Sequence, residues 1–261
     1  MKISLKSKRA LVGGSSKGLG NAVASQLALS GATVTLLSSN EERLIKTVND
    51  LKEKTGLNHN YLVVDYYDFQ SYQQIIKKYL STNPIDILIN NTQGPKGADV
   101  MNVSIEDYQK SFDLLFKSVV FTTMLALENM KKNKWGRIIN MASVSVKEPL
   151  SYLALSNSIR AAVTTWGKTL SNDLGSNNIT VNNILTGYFD TERINQLNSE
   201  KAKKLNVDVE QVYEKMKNLV PLKRIGDPKE FGYLLTFLAS ENAAYINGAN
   251  IPIDGGILKS M

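Results

Sequence analysis

Short apolar runs alternate along the chain with longer stretches whose apolar positions recur at helical spacing, and this alternation predicts the architecture. A first strand, Ala10 to Val12, passes directly into a helix in which Ala22, Val23, Leu27 and Ala28 keep helical spacing. Gly31 ends that helix, and a second strand covers Thr33 to Leu37. The pattern repeats as a helix from Glu41 to about Lys54, a strand from Tyr61 to Val64 and a helix from about Ser71 to Leu80. Pro84 breaks it, and Ile85 to Ile89 form the fourth strand. A long amphipathic stretch from Ile105 to about Lys132, carrying Phe112, Leu115, Val119 and Met130, predicts a helix crossing one face of the sheet. Strands over Arg137 to Met141 and Thr180 to Leu185 flank a helix from Ala154 to Leu174. A helix beginning at Pro228 and a strand over Ala249 to Ile253 close the series.

This order predicts one doubly wound α/β domain over residues 1–261, a parallel seven-stranded sheet of Rossmann type with helices on both faces. Residues at about 190–219 interrupt the alternation with polar, lysine- and asparagine-rich, helix-prone sequence. Such an insertion suits a mobile cover over a ligand site.

Composition narrows the chemistry. A chain of 261 residues with 43% hydrophobic content supports one large core. The absence of cysteine excludes disulfides and thiol catalysis, and the single His59 cannot form a histidine metal cluster, so no metal site is expected. The net charge of +7 is spread over the chain without a basic block, which argues against nucleic acid and leaves a solvated lysine-rich surface or a face for anionic cofactors or an acidic carrier protein. The early apolar run is broken by glycines too soon for a signal peptide or a membrane span, and the expectation is a cytoplasmic protein with no membrane partner.

The first strand-to-helix turn carries the strongest functional signal. It reads Gly14-Ser15-Ser16-Lys17-Gly18-Leu19-Gly20, spaced G-x-x-x-G-x-G. Glycines there permit a tight bend, close approach of backbone N–H groups to a phosphate, and close packing of the new helix on the sheet. The alternative is a plain glycine-rich turn.

Together with Asp65, Asn90-Asn91, the run Gly136 to Asn140 leading into Ser143, Val181-Asn182-Asn183 and Asp254-Gly255-Gly256, this loop resembles the short-chain dehydrogenase/reductase family over nearly the whole chain. From Pro221 onward the sequence is most similar to proteins labelled 3-oxoacyl-acyl-carrier-protein reductases. The resemblance implies an oxidoreductase for a carbonyl/alcohol pair that uses a nicotinamide dinucleotide, with a small-molecule or acyl-carrier-bound substrate. It also implies a homo-oligomer, a tetramer in many relatives, paired through helices that here carry Phe112, Phe116, Phe121 and Trp166.

Family members support hydride transfer with an Asn, a Ser, a Tyr thirteen residues later and a Lys four further on, the last two sharing a helix face so that the ammonium lowers the phenol pKa. In this chain the count from Ser143 lands on Ser156 and Arg160, and counting back from Met130 puts Leu115 at the Asn position. A serine hydroxyl and an ever-protonated arginine cannot simply repeat tyrosine–lysine proton transfer. Ser143 is a candidate to orient a carbonyl or a local cap; Arg160 a ribose or phosphate ligand or a structural ion-pair partner; Ser156 a packing or relay group. Tyr188, which follows Gly187 where the family brings a loop against the nicotinamide, is a candidate proton donor, as is Tyr152 if the following helix extends back to it.

The cofactor-binding set implied by the resemblance is the loop from Gly14 to Gly20, then Ser38, Ser39, Asn40 and Arg43, Asp65 and Tyr66 beside the adenine, Asn90 and Asn91, Arg160, Gly187 and Thr191. Lys17, and the lack of an acid at the end of the second strand, favour NADP(H) over NAD(H). A rival reading is a dinucleotide-binding protein with impaired catalysis, acting as a redox sensor or an assembly subunit.

Overall fold

A computed structural model describes residues 3–260. Its strands are β1 (Arg9–Val12), β2 (Thr33–Ser38), β3 (Asn60–Val63), β4 (Ile87–Asn90), β5 (Gly136–Met141), β6 (Ile179–Thr186) and β7 (Asn250–Ile253). Its α-helices are α1 (Gly18–Leu29), α2 (Glu41–Thr55), α3 (Phe69–Leu80), α4 (Ile105–Phe112), α5 (Ser118–Asn133), α6 (Ala154–Leu174), α7 (Glu192–Leu205), α8 (Val209–Leu219) and α9 (Pro228–Leu238). The sheet runs β3-β2-β1-β4-β5-β6-β7 with every pair parallel. The order reverses between β1 and β4, and their carboxyl ends part there, where doubly wound sheets bind ligands.

Side-chain alternation along each strand builds two cores. Val12, Leu36, Ile89 and Ile139 pack against α1, α2 and α9, whereas Leu11, Leu37, Leu88, Ile138 and Val181 face α3, α5 and α6. The second face also carries a polar row. Asn90, Asn140, Asn183 and Asn250 stand opposite one another in register across four strands. Each amide donates to the next carbonyl, at 2.8, 2.9 and 2.8 Å. Helix α6 lies directly over this row, and Gly167 is what lets it: a Cβ there would sit 2.6 Å from the Asn183 Oδ1.

The helix expected over 105–132 is divided. Between α4 and α5 the turn Asp113–Lys117 widens into a π-helix, and the Ser118 hydroxyl donates to the Leu114 carbonyl at 2.6 Å, a side-chain bond that competes with the regular ladder. Helix α6 spans the residues its periodicity predicts. The insertion at about 190–219 forms α7 and α8, which bury few of their own residues, chiefly Asn198, Ala202 and Val212. Among the described residues no helix is long and apolar enough to cross a membrane.

Candidate active site

The glycine loop is fixed from beneath. Ser15 is fully buried; its hydroxyl donates to the Val12 carbonyl at 2.8 Å and accepts from the Leu37 amide at 3.0 Å, tying the loop to β1 and β2. Asn91 donates to the carbonyls of Gly13 and Gly14 at 3.0 and 3.3 Å. Gly14 and Gly18 take φ of 52° and 59°, and a Cβ on Gly20 would lie 2.2 Å from the Gly14 carbonyl oxygen. The chain enters α1 at Lys17 with no side-chain cap and no acid in the first turn, so the helix supplies no anion of its own to the orphan N–H groups.

A cleft of about 510 Å³ opens over this loop and extends past Thr92, Gln93 and Gly94 to Thr186, Gly187 and the first turns of α7. Of the expected cofactor residues, Gly14, Ser16, Lys17, Gly18, Leu19, Gly20, Ser38, Asn91, Gly187 and Thr191 border it. Ser16 and Ser38 share a hydroxyl hydrogen bond of 2.7 Å, Asn40 caps α2 by accepting from the Arg43 amide at 2.8 Å, and Thr191 caps α7.

Several expected residues have their side chains engaged within the protein. Ser15 faces the core, its hydroxyl bonded to backbone. The Tyr66 ring, expected beside the adenine, is buried against Tyr72 with centroids 4.9 Å apart, and burial pushes its pKa well up. Asp65 is exposed and accepts from the Tyr67 amide at 2.9 Å, closing its own turn. Asn90 spends its amide on Thr123 and Asn140 at 3.0 and 2.8 Å, inside the polar row. Ser39 is an exposed residue that, like Asn40 and Arg43, lies outside the wall of the main cleft. Phe121, expected on an oligomer face, packs edge-on against Phe69 at 6.0 Å.

The reaction side is arranged differently. Ser143 caps a short turn, its oxygen accepting from the Ser145 amide at 3.1 Å, which leaves its own hydrogen free. Ser156 accepts from Arg160 Nε at 3.2 Å, and another arm of the same guanidinium donates to the Met141 carbonyl at the end of β5. Removal from water pushes the Arg160 pKa down to about 10, still protonated at neutral pH. Helix α6 begins only at Ala154, so Tyr152 lies outside it and does not share the Ser156 face. Burial, reinforced by the neighbouring Tyr188, raises the Tyr152 pKa. Tyr188 borders a neighbouring cavity of about 130 Å³ with Leu222 and Arg224. Ser143, Ser156, Arg160 and Tyr188 all lie outside the wall of the main cleft, although Met141, which Arg160 holds, forms part of it.

Glu192, which no sequence motif singles out, forms part of the cleft wall. It reaches Lys17 at 2.7 Å and Arg43 at 3.2 Å. Nothing in the local sequence signals a pairing across 175 positions. Thr186 was also passed over; its hydroxyl is buried without a partner at the cleft edge.

A family model described as enoyl-(acyl carrier protein) reductase matches residues 14–258. The chain belongs to the short-chain dehydrogenase/reductase family of oxidoreductases. It is 33% identical to the NADPH-dependent reductase BacG of Bacillus subtilis, over 98% of this chain and 100% of the relative. Against the 3-oxoacyl-[acyl-carrier-protein] reductase FabG of Aquifex aeolicus the identity is 28%, over 98% and 100%. The L-sorbose reductase of Gluconobacter frateurii, solved with NADPH and L-sorbose, superposes with a TM-score of 0.94 at 29% identity, covering 100% of both chains.

Proposed function

We propose that this chain is an NADP(H)-dependent oxidoreductase acting on a carbonyl/alcohol pair, of the kind represented by 3-oxoacyl-acyl-carrier-protein reductases. One observation carries the reading: the 510 Å³ cleft brings together the uncapped start of α1, the glycine loop and Lys17, a set of donors and charge suited to a dinucleotide phosphate. A bound nicotinamide supplies or accepts the hydride. The chain's own residues orient the carbonyl and manage the proton. Ser143 donates its free hydroxyl hydrogen to the substrate oxygen. Arg160 stays charged, holds Met141 and Ser156, and acts by position and field. Tyr188 is the proton donor; burial keeps the neighbouring Tyr152 phenol protonated. Two copies pair through the exposed ring of Phe112, stacked on Phe116 at 5.0 Å, towards a homotetramer, which light scattering tests against a monomeric mass.

A thermal melt titrated with NADPH and NADH tests the cofactor. Ligand at about 100 times its Kd adds roughly 2.7 kcal/mol, several degrees in a domain of this size, and no shift with either at millimolar concentration rejects the site. A second reading, a binder without turnover, is favoured by one observation: Ser156 and Arg160 satisfy each other and the Met141 carbonyl, outside the cleft wall. NADPH oxidation across a panel of carbonyls separates the two.

A further inference from the structure

Glu192 is the first residue of α7, yet its carboxylate lies at the opposite wall of the cleft. One oxygen is 2.7 Å from Lys17 Nζ and 3.2 Å from Arg43 Nη1, and the other is 3.3 Å from the same Nη1. The two cations belong to different elements, the residue before α1 and the first turn of α2, and in the structure this single carboxylate joins them. Thr191, which caps α7, is seated on the same loop: its Cγ2 is 3.7 Å from where a Cβ on Gly18 would lie. Behind the three charges a recess of about 390 Å³ is bordered by Lys46 and Lys54, with Asp50 as a further acid. Hydrogen bonds from Lys17, then Arg43, hold the Glu192 carboxyl below its ordinary range.

We infer that Glu192 is an internal substitute for the 2′-phosphate of NADP(H), so that phosphate binding at Lys17 and Arg43 expels the glutamate and frees the start of α7. The inference rests on the cofactor reading above. Charge decides the competition. Among the three groups in direct contact, two cations and one carboxylate leave a single positive charge; a phosphate monoester of about −1.5 to −2 set beside the carboxylate turns that trio negative and puts two anions on the same donors, whereas replacing the carboxylate restores balance. Three phosphate oxygens also satisfy an ammonium and a planar guanidinium fork better than one carboxylate does. NAD(H), with hydroxyls at that place, has no charge with which to displace Glu192. The glutamate therefore weakens NADP(H) binding selectively and makes the phosphate the signal that releases the cover.

Dissociation constants for NADPH, NADH, 2′,5′-ADP and 5′-AMP, measured by calorimetry on the unmodified protein and on Glu192→Gln, test this. The variant is expected to bind NADPH and 2′,5′-ADP about three- to tenfold more tightly, the range that loss of two exposed ion pairs allows, with NADH and 5′-AMP unchanged. Amide exchange in 192–205 of the unmodified protein is expected to accelerate with 2′,5′-ADP and not with 5′-AMP. An equal change for both dinucleotides, or none, overturns the substitution while leaving the cofactor site standing. If neither protein binds either dinucleotide, the cofactor reading fails and this inference fails with it.

Discussion

The two halves of the cleft are built on different principles. Beneath the glycine loop, the side chains of Ser15 and Asn91 take up the loop's internal hydrogen bonds, so the surface towards the cleft keeps its N–H groups for a ligand, while its cations Lys17 and Arg43 are held by Glu192. On the reaction side Arg160 spends its capacity on Ser156 and the Met141 carbonyl, and the Ser143 oxygen accepts from the Ser145 amide. A site of the first kind is preorganised to bind. One of the second kind needs a rearrangement, or a different proton donor, before it turns over.

The comparison is sharpest in kinetics. Tyr188→Phe is expected to lower NADPH-coupled turnover by about 10²- to 10⁴-fold with cofactor Kd unchanged, while Ser156→Ala costs less than about tenfold. The reverse ranking would return the proton to the helix face. Gly20→Ala attacks the other half. Its Cβ meets the Gly14 carbonyl at 2.2 Å, a backbone atom that cannot step aside, so stability should fall by about 3 kcal/mol and the NADPH-induced rise in Tm should vanish. An unaltered Tm shift would show that the loop is looser than its packing implies.

Asn140→Leu tests the polar row common to both halves. It strands the Asn90 amide and the Asn183 carbonyl, for a loss of about 2 kcal/mol, or roughly 4–8 °C in Tm. The smallest effect is a pH slope. His59 accepts from the Val34 amide at 3.2 Å and meets Thr55 at 2.9 Å, and burial lowers its pKa. Its folded pKa lies below the unfolded value of 6.5, so the stability it contributes is present above about pH 6.5 and is lost as pH falls through the folded pKa. Tm measured from pH 7.5 down to 5 should slope downward, and His59→Gln should flatten that slope.

Periodicity made the alternating elements readable, since the apolar face of each one must be buried against the sheet. Helix α6 is the clearest case. Periodicity is silent on which way a loop side chain turns, and the side chains of Ser15 and Tyr66, in the cofactor set by resemblance, turn inward. The start of α6 at Ala154 agrees with its periodicity; Leu153 caps it with no side-chain bond, and the extension back to Tyr152 does not occur. The asparagine row had a visible trace. Asn140 follows Ile138-Ile139, and Asn183 sits within Val181 to Leu185, polar residues in otherwise buried strands. Their pairing needed strand register, which single-strand patterns do not contain.

That row also constrains how the sequence can change. Replacing one interior asparagine leaves a neighbour's buried polar group without a partner, whereas replacing the whole row with apolar side chains of similar volume removes the unmet demand within the row, leaving only the Thr123 hydroxyl and the Thr164 carbonyl to lose a donor. The single steps are costly and the completed exchange is mild, so the four positions form an island in sequence space, reached and left by coordinated substitution. Gly167 is tied to the same island: a larger residue there becomes tolerable only after the Asn183 and Asn140 side chains beneath it have become smaller.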